Sequence, residues 1–445
     1  MERDYPEFER QGSAVYDVAR YDLDLDYTVR SNRLVGRATI GVLVRVPTRE
    51  LLFDLVGLDV RRVLVDGKAV RVRGSRRGKL VVPCRADVGD RLEVIVEYGG
   101  TPGPRSGNWG DVGFEELTDG VLVAAQPDGA ATWFPCNDRP SARAPFRISV
   151  TCEAAYTVVA NGTRIAYQRR GSRATTVYDN PTPTAPYLAT LQIGRYAEME
   201  PPWVAVGDVP QAIYGPDRLR RRIAHDFGRQ PEMMRLFSRL FGPYPFARYD
   251  VVVTDDPLEI PLEAQSLSIF GSNHVDGRRQ SERLVAHELA HQWFGNAVGL
   301  ARWRDIWLNE GFACYAEWLW WDHIGSRSIG QATLQAWRGL AAAPQDLCIA
   351  DPGAERMFDD RVYKRGALAL HALRVAAGDE AFFHLVRSWV AVNLDDVVTT
   401  THFRAHVGEV GADLPAVLSA WIDEEALPAL PAIGHRSRRT GSRRL

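Results

Sequence analysis

The chain contains His287-Glu288-Leu289-Ala290-His291, two histidines four residues apart with a glutamate beside the first. Around it the apolar residues Leu284, Ala286, Leu289, Ala290, Trp293 and Phe294 recur at helical spacing, so the segment Glu282 to Phe294 is read as a helix. Residues four apart on a helix stand about 40° apart on one face, close enough for both imidazoles to hold a single zinc ion. Glu288 then lies where it can activate a bound water. The competing reading is a satisfied surface pair of histidines. A catalytic zinc needs a third protein ligand, and Trp307-Leu308-Asn309-Glu310-Gly311-Phe312 offers Glu310 at the opening of a second helix, with 18 residues intervening after His291. Two histidines and one glutamate leave a fourth position open for water, an arrangement that lowers the pKa of that water and polarises a carbonyl. One zinc per chain is the expectation. Glu317 falls two turns beyond Glu310, about 20° off the same face. It either hydrogen-bonds a ligand histidine or is a solvated helix charge.

The elements that must position these residues can be read from hydrophobic periodicity. From Tyr16 to Tyr98 apolar and polar residues alternate in period two, as in Tyr21, Leu23, Leu25 and Tyr27, with turn signals such as Asp66-Gly67 between the runs. The pattern resumes at Phe146 to Cys152, Tyr156 to Ala160 and Tyr187 to Ile193, so residues 1–198 read as one antiparallel all-β domain. The character changes near Pro201-Pro202. Beyond it, Leu219 to Phe241, Glu310 to Ile324, Glu380 to Val392, Thr401 to Val410 and Leu414 to Ile422 have helical spacing, and Tyr249 to Thr254 is an apolar strand. Residues 199–432 therefore read as an α-rich second domain, and residues 433–445 as a basic disordered tail.

Composition excludes several classes. The chain has 445 residues, 54 Lys+Arg against 56 Asp+Glu, and a net charge of -2, which argues against a nucleic-acid partner for the body of the protein. Five arginines and no acid lie between His435 and Leu445, so what basic excess exists is local. Cys84, Cys136, Cys152, Cys314 and Cys348 are scattered and never spaced as CxxC, which fits a reducing compartment. The N-terminus lacks an apolar leader and no apolar run reaches the ~18 residues needed to span a bilayer. A cytoplasmic protein without membrane attachment is expected.

HELAHQWFGNAV followed by RDIWLNEGFACYAEWLW resembles the zinc aminopeptidases typified by aminopeptidase N and leukotriene hydrolase, within the gluzincins. TWFPCNDRPSARAPF, FGPYPFARYDVVV, LEAQSLSIF and VYKRGALALHALR extend the resemblance from about Tyr16 to Pro431. It implies a multidomain α+β protein, an N-terminal β saddle packed on a thermolysin-like catalytic domain, in a short form without the C-terminal helical domain of many relatives. Carried over position by position, it implies His287, His291 and Glu310 as zinc ligands and Glu288 as general base. It also implies Tyr363 as the hydroxyl that stabilises the oxyanion, and Glu263, with Gln126 near the same pocket, as the anchor of the substrate ammonium. On composition alone Tyr363 would be a packing residue and Gln126 a surface one. The family usually carries Gly-x-Met-Glu-Asn on an edge strand, whereas this chain has Ile260-Pro261-Leu262-Glu263-Ala264. Pro261 has no N–H to donate, and Ile260 is branched where glycine lets a backbone approach.

The implied activity is removal of the N-terminal residue from peptides with a free N-terminus. An epoxide hydrolase or endopeptidase on the same zinc site, and a non-catalytic scaffold, are the alternatives.

Overall fold

The computed structural model describes residues 4–76, 78–199 and 209–430, so the residues around Pro201-Pro202 and the basic tail at 433–445 lie outside the described residues. The N-terminal half is β-rich. Its principal sheet has eight strands, in the order Thr163–Arg170, Arg173–Thr184, Ala144–Glu153, Tyr16–Thr28, Arg33–Val44, Arg91–Gly100, Asp59–Val65 and Lys68–Val70. The period-two reading is realised in the first strand: Tyr21, Leu23, Leu25 and Tyr27 are buried, while Asp24 and Asp26 face water. These side chains pack with Phe114, Phe134 and Phe146 into one core, in which the Tyr21 ring stacks on Phe146 at 4.8 Å. The sheet is not wholly antiparallel, because Tyr16–Thr28 runs parallel to Ala144–Glu153. More than a hundred residues separate the two strands, ample for the crossover that a parallel pair requires.

The C-terminal half holds a five-stranded sheet in the order Ala197–Met199, Gln211–Gly215, Tyr249–Val253, Leu267–Phe270 and Leu262–Ala264. Its central strands are parallel, and the last, Leu262–Ala264, returns antiparallel as the edge. The helices are α1 (Arg220–Asp226), α2 (Gln230–Phe241), α3 (Glu282–Ala290), α4 (Trp307–His323), α5 (Ile329–Ala342), α6 (Asp360–Ala377), α7 (Asp379–Val392), α8 (Thr400–Val410) and α9 (Leu414–Ile422).

Three segments differ from the periodicity reading, each for a local reason. Leu219 to Phe241 is not one helix but α1 and α2, broken at residues 227–229. Pro231 lacks the N–H that would continue the ladder, and its ring would clash with the carbonyl of Phe227, so it sits instead in the first turn of a new helix. The helix expected over Glu282 to Phe294 ends at Ala290, with His291 as its C-cap. α4 begins at Trp307, a turn before Glu310. Trp307 to Trp320 are all buried, and a helix covered on every side has no polar face to mark its start.

α4, which carries Glu310, and α6, which carries Tyr363, cross where two glycines meet. A Cβ on Gly311 would stand 2.9 Å from the Cα of Gly366, and one on Gly366 would stand 2.8 Å from the Cα of Gly311. The obstructing atoms are backbone on both sides, so neither helix can yield without moving its neighbour. Gly366→Ala is therefore expected to destabilise the fold by about 1–3 kcal/mol, as overpacking does, although alanine is the better helix former by about 1 kcal/mol. Gly339→Ala in α5, where nothing lies within 4 Å of an added Cβ, is expected to be neutral or stabilising. Urea midpoints of the two variants check the contrast.

Candidate active site

α3 and α4 bring His287, His291 and Glu310 together. Glu310 Oε2 is 3.4 Å from His287 Nε2 and 3.4 Å from His291 Nε2, and the three candidate donor atoms all lie within 4.8 Å of one another. Two atoms each ~2.0–2.1 Å from a tetrahedral zinc ion stand about 3.3–3.4 Å apart, so the triangle fits zinc in size as well as in donor type. The outer nitrogens of the imidazoles are also engaged. His287 Nδ1 is 2.8 Å from Glu317 Oε1, and His291 Nδ1 is 3.1 Å from the Phe294 carbonyl. Both partners accept, which puts a proton on Nδ1 and leaves Nε2 as the nitrogen that faces Glu310. Arg283 Nη1 donates to the same Glu317 oxygen at 2.9 Å, so Glu317, only 1% exposed, is a buried partner of His287 and not a solvated charge.

The electrostatics follow from burial and proximity. Burial opposes ionisation of Glu310, yet His291 and His287 hold its carboxyl down at about 2. Burial likewise disfavours the charged form of His287, but Glu310 and Glu317 outweigh it and bring that imidazole up to about 10. For Glu288 burial comes first, and His287 and His291 oppose it without prevailing. Burial, reinforced by Glu263 and Glu310, pushes it up to about 7.

Glu263 sits on the edge strand Leu262–Ala264, and its carboxylate lies within 4.8 Å of the donor atoms of Glu288 and His291. Gln126, from the β-rich half, donates from Nε2 to Glu263 Oε1 at 2.8 Å. The two residues that the resemblance assigns to an amine pocket are thus hydrogen-bonded across 137 positions of sequence. Tyr363, in the first turn of α6, stacks its ring on His287 at 6.0 Å between centroids. Burial, with Glu310 and Glu263 nearby, raises its phenol well above the usual range, so the hydroxyl keeps its proton. Pro261 precedes the edge strand, and Ile260 points to solvent at 63% exposure.

Two further residues hold this geometry and are absent from the motif reading. Gln292 Oε1 accepts from Ser266 N at 2.8 Å while its Nε2 donates to the Ala264 carbonyl at 3.1 Å; Asn296 Nδ2 donates to the same carbonyl at 3.0 Å. Both side chains are fully buried. The residues that follow the second histidine therefore staple the hairpin bearing Glu263 to the end of α3. The sequence signal was an amide in an otherwise apolar stretch, since a buried amide is kept only where it is hydrogen-bonded. The β-rich half contributes as well: Asn161 Nδ2 donates to the Leu188 and Gln265 carbonyls, and Arg143 Nη2 donates to the Asn296 carbonyl at 2.6 Å.

Comparison with known proteins agrees with this arrangement. Residues 18–188 match the Peptidase M1 N-terminal domain and residues 226–421 the Peptidase family M1 domain. A leucyl aminopeptidase of Saccharolobus solfataricus is 24% identical over 92% of this chain, and Aminopeptidase 2 of Candida albicans is 22% identical over 92%. The chain spans about half the length of these curated relatives, 54% and 47% respectively. Among solved structures, a mutant M1 zinc metallopeptidase of Deinococcus radiodurans bound to a Tyr-Ser-Ala substrate has a TM-score of 0.86 at 31% identity, covering 95% of this chain and 97% of that one. A two-domain M1 zinc metallopeptidase mutant bound to L-arginine has a TM-score of 0.86 at 30% identity. With both halves matched in order, and with the likeness to a solved member running nearly end to end, the chain belongs to the M1 family of zinc metallopeptidases.

Proposed function

We propose that this chain is a zinc aminopeptidase that removes single residues from the free N-terminus of peptides. One observation carries the reading. The Glu263 carboxylate lies within 4.8 Å of donor atoms on His291 and Glu288, and an extended residue spans about 3.3–3.6 Å. An ammonium held on Glu263 leaves room for one residue before the reacting carbonyl, and not for two. The names of the relatives point the same way, and the solved member holding a tripeptide shows a substrate of this class on this fold.

In this mechanism His287, His291 and Glu310 hold the zinc, which when bound polarises the scissile carbonyl and acidifies water. Glu317 and the Phe294 carbonyl keep the two imidazoles in the tautomer that presents Nε2. Glu263, oriented by Gln126, receives the substrate ammonium. Glu288 removes a proton from the attacking water and returns it to the departing amine, and the Tyr363 hydroxyl donates to the oxygen on which negative charge develops. The five cysteines are unpaired, and on that ground we place the reaction in the cytoplasm.

Glu288→Gln is expected to bind one zinc per chain, as wild type does, and to lose about 100- to 10,000-fold in kcat. Metal analysis beside steady-state rates tests both halves of that statement. Glu263→Ala removes the partner of a substrate ammonium in a buried position, at a cost of roughly 2–5 kcal/mol, or about 30- to 5,000-fold in kcat/KM. The loss should appear with a free-amine dipeptide amide and not with its N-acetylated form. If wild type cleaved both forms equally well, the endopeptidase alternative would replace the reading. Gln292→Ala leaves the Ala264 carbonyl and the Ser266 N–H short of a partner, at about 1–3 kcal/mol. Its expected signature is a roughly 10- to 100-fold lower kcat/KM for free-amine substrates at wild-type zinc content.

A further inference from the structure

A second group of donors adjoins the ligand triangle. One carboxylate oxygen each of Glu263 and Glu288 and one nitrogen of His291 lie within 4.8 Å of one another, Glu263 partly exposed and the other two buried. His291 cannot serve two ions at once, because its Nδ1 is bonded to the Phe294 carbonyl and Nε2 alone remains. Once Nε2 is spent on the triangle, the group offers two neighbouring carboxylates, reached from solvent at Glu263.

Neither carboxylate is fully engaged. Glu288 is 4% exposed, and among the described residues no hydrogen bond reaches its carboxylate. Glu263 accepts from the neutral Gln126 Nε2 at 2.8 Å. A buried carboxylate short of partners is costly, and one cation between two of them relieves both. The count of charges agrees. Glu263, Glu288 and Glu310 are three carboxylates, while His287 and His291 bind metal as neutral imidazoles. A divalent ion in the triangle therefore leaves one negative charge over. A substrate ammonium balances that charge, and a second divalent cation more than balances it.

We propose that Glu263 and Glu288 form a second, weaker site for a zinc-class divalent cation, which fills when the metal is in excess and shuts out the substrate. Carboxylate oxygens bind zinc at ~2.0–2.2 Å, and the ions of two-metal sites stand ~3.5–4 Å apart. The second ion has two protein ligands against three for the first, so the triangle fills first. The inhibition rests on the aminopeptidase reading, because it arises from competition with the substrate ammonium for Glu263; the uptake of the second ion does not.

The test titrates zinc chloride into metal-free protein and follows uptake by calorimetry. Wild type is expected to take one equivalent tightly and a second at higher free zinc. Glu263→Gln and Glu288→Gln preserve the shape of each side chain without its charge, and each should keep the first equivalent and lose the second. The retained first equivalent shows that the fold is intact. In crystals grown with excess zinc, the anomalous signal of the second ion should lie ~3.5–4 Å from that of the first. With a free-amine dipeptide amide, zinc at ten times the second dissociation constant should raise KM about 11-fold at unchanged kcat, as competitive mass action requires. A single equivalent in wild type under excess zinc overturns the site, and so does a second equivalent that survives in either variant. Two equivalents with no rise in KM overturn the inhibition. An inactive one-zinc enzyme overturns the aminopeptidase reading and leaves the titration to decide the second site.

Discussion

Glu310 places a carboxylate at 3% exposure in the centre of the catalytic half, with two histidines at 8% and 1%. A charge in such a place is tolerated only with close partners, because desolvation costs several kcal/mol per ion and the loss of one partner leaves another charge unpaired. The surrounding fold answers that constraint. α4 is enclosed so completely that its first fourteen residues are buried. α6 must lie against it at backbone contact, which only glycine at positions 311 and 366 permits. Glu317 then continues the alternation of charge outward to Arg283 at the protein surface. Each layer satisfies the one inside it.

The same logic explains why the proposed amine anchor is built differently. Glu263 accepts from the neutral Gln126, and among the described residues no histidine is hydrogen-bonded to its carboxylate. Burial raises its pKa, so its charged form gains most when a cation arrives. A carboxylate proposed to take its partner from the substrate is left under-paired, and rigidity has to come from the backbone instead. Gln292 and Asn296 provide that by gripping the hairpin through Ala264 and Ser266. The candidate metal triangle is held by its own charges, whereas the proposed amine anchor is held by neighbouring amides.

How much of this could be read in the sequence depends on how far apart the interacting residues lie. His287, Glu288 and His291 are related by one helical turn, so periodicity alone placed them on a common face; Glu310 and Glu317 followed from a second helix close by. Gln126 and Glu263 were named through family likeness, and nothing in their spacing announces that they touch. The break at Pro231 is written in the missing N–H, while the apolar repeat runs on through it and masks the break. The early start of α4 left no trace, since burial on all sides removes the polar stripe that marks helix ends. The Gly311 and Gly366 contact joins positions 55 apart by the absence of side chains, a signal that no pattern of hydrophobicity contains.

The turn at Asn161-Gly162 shows how sharply tolerance to drift can change along a chain. Asn161 is 1% exposed and spans Leu188 and Gln265, while Gly162 has φ 84° and donates its N–H to the Ser266 hydroxyl. The strand that begins at the next residue, Thr163–Arg170, is exposed along its whole length. Substitutions there meet water, so that strand is free to diverge among descendants of this chain. The two residues before it bind the β-rich half to the hairpin that carries Glu263, and they can change only together with that hairpin.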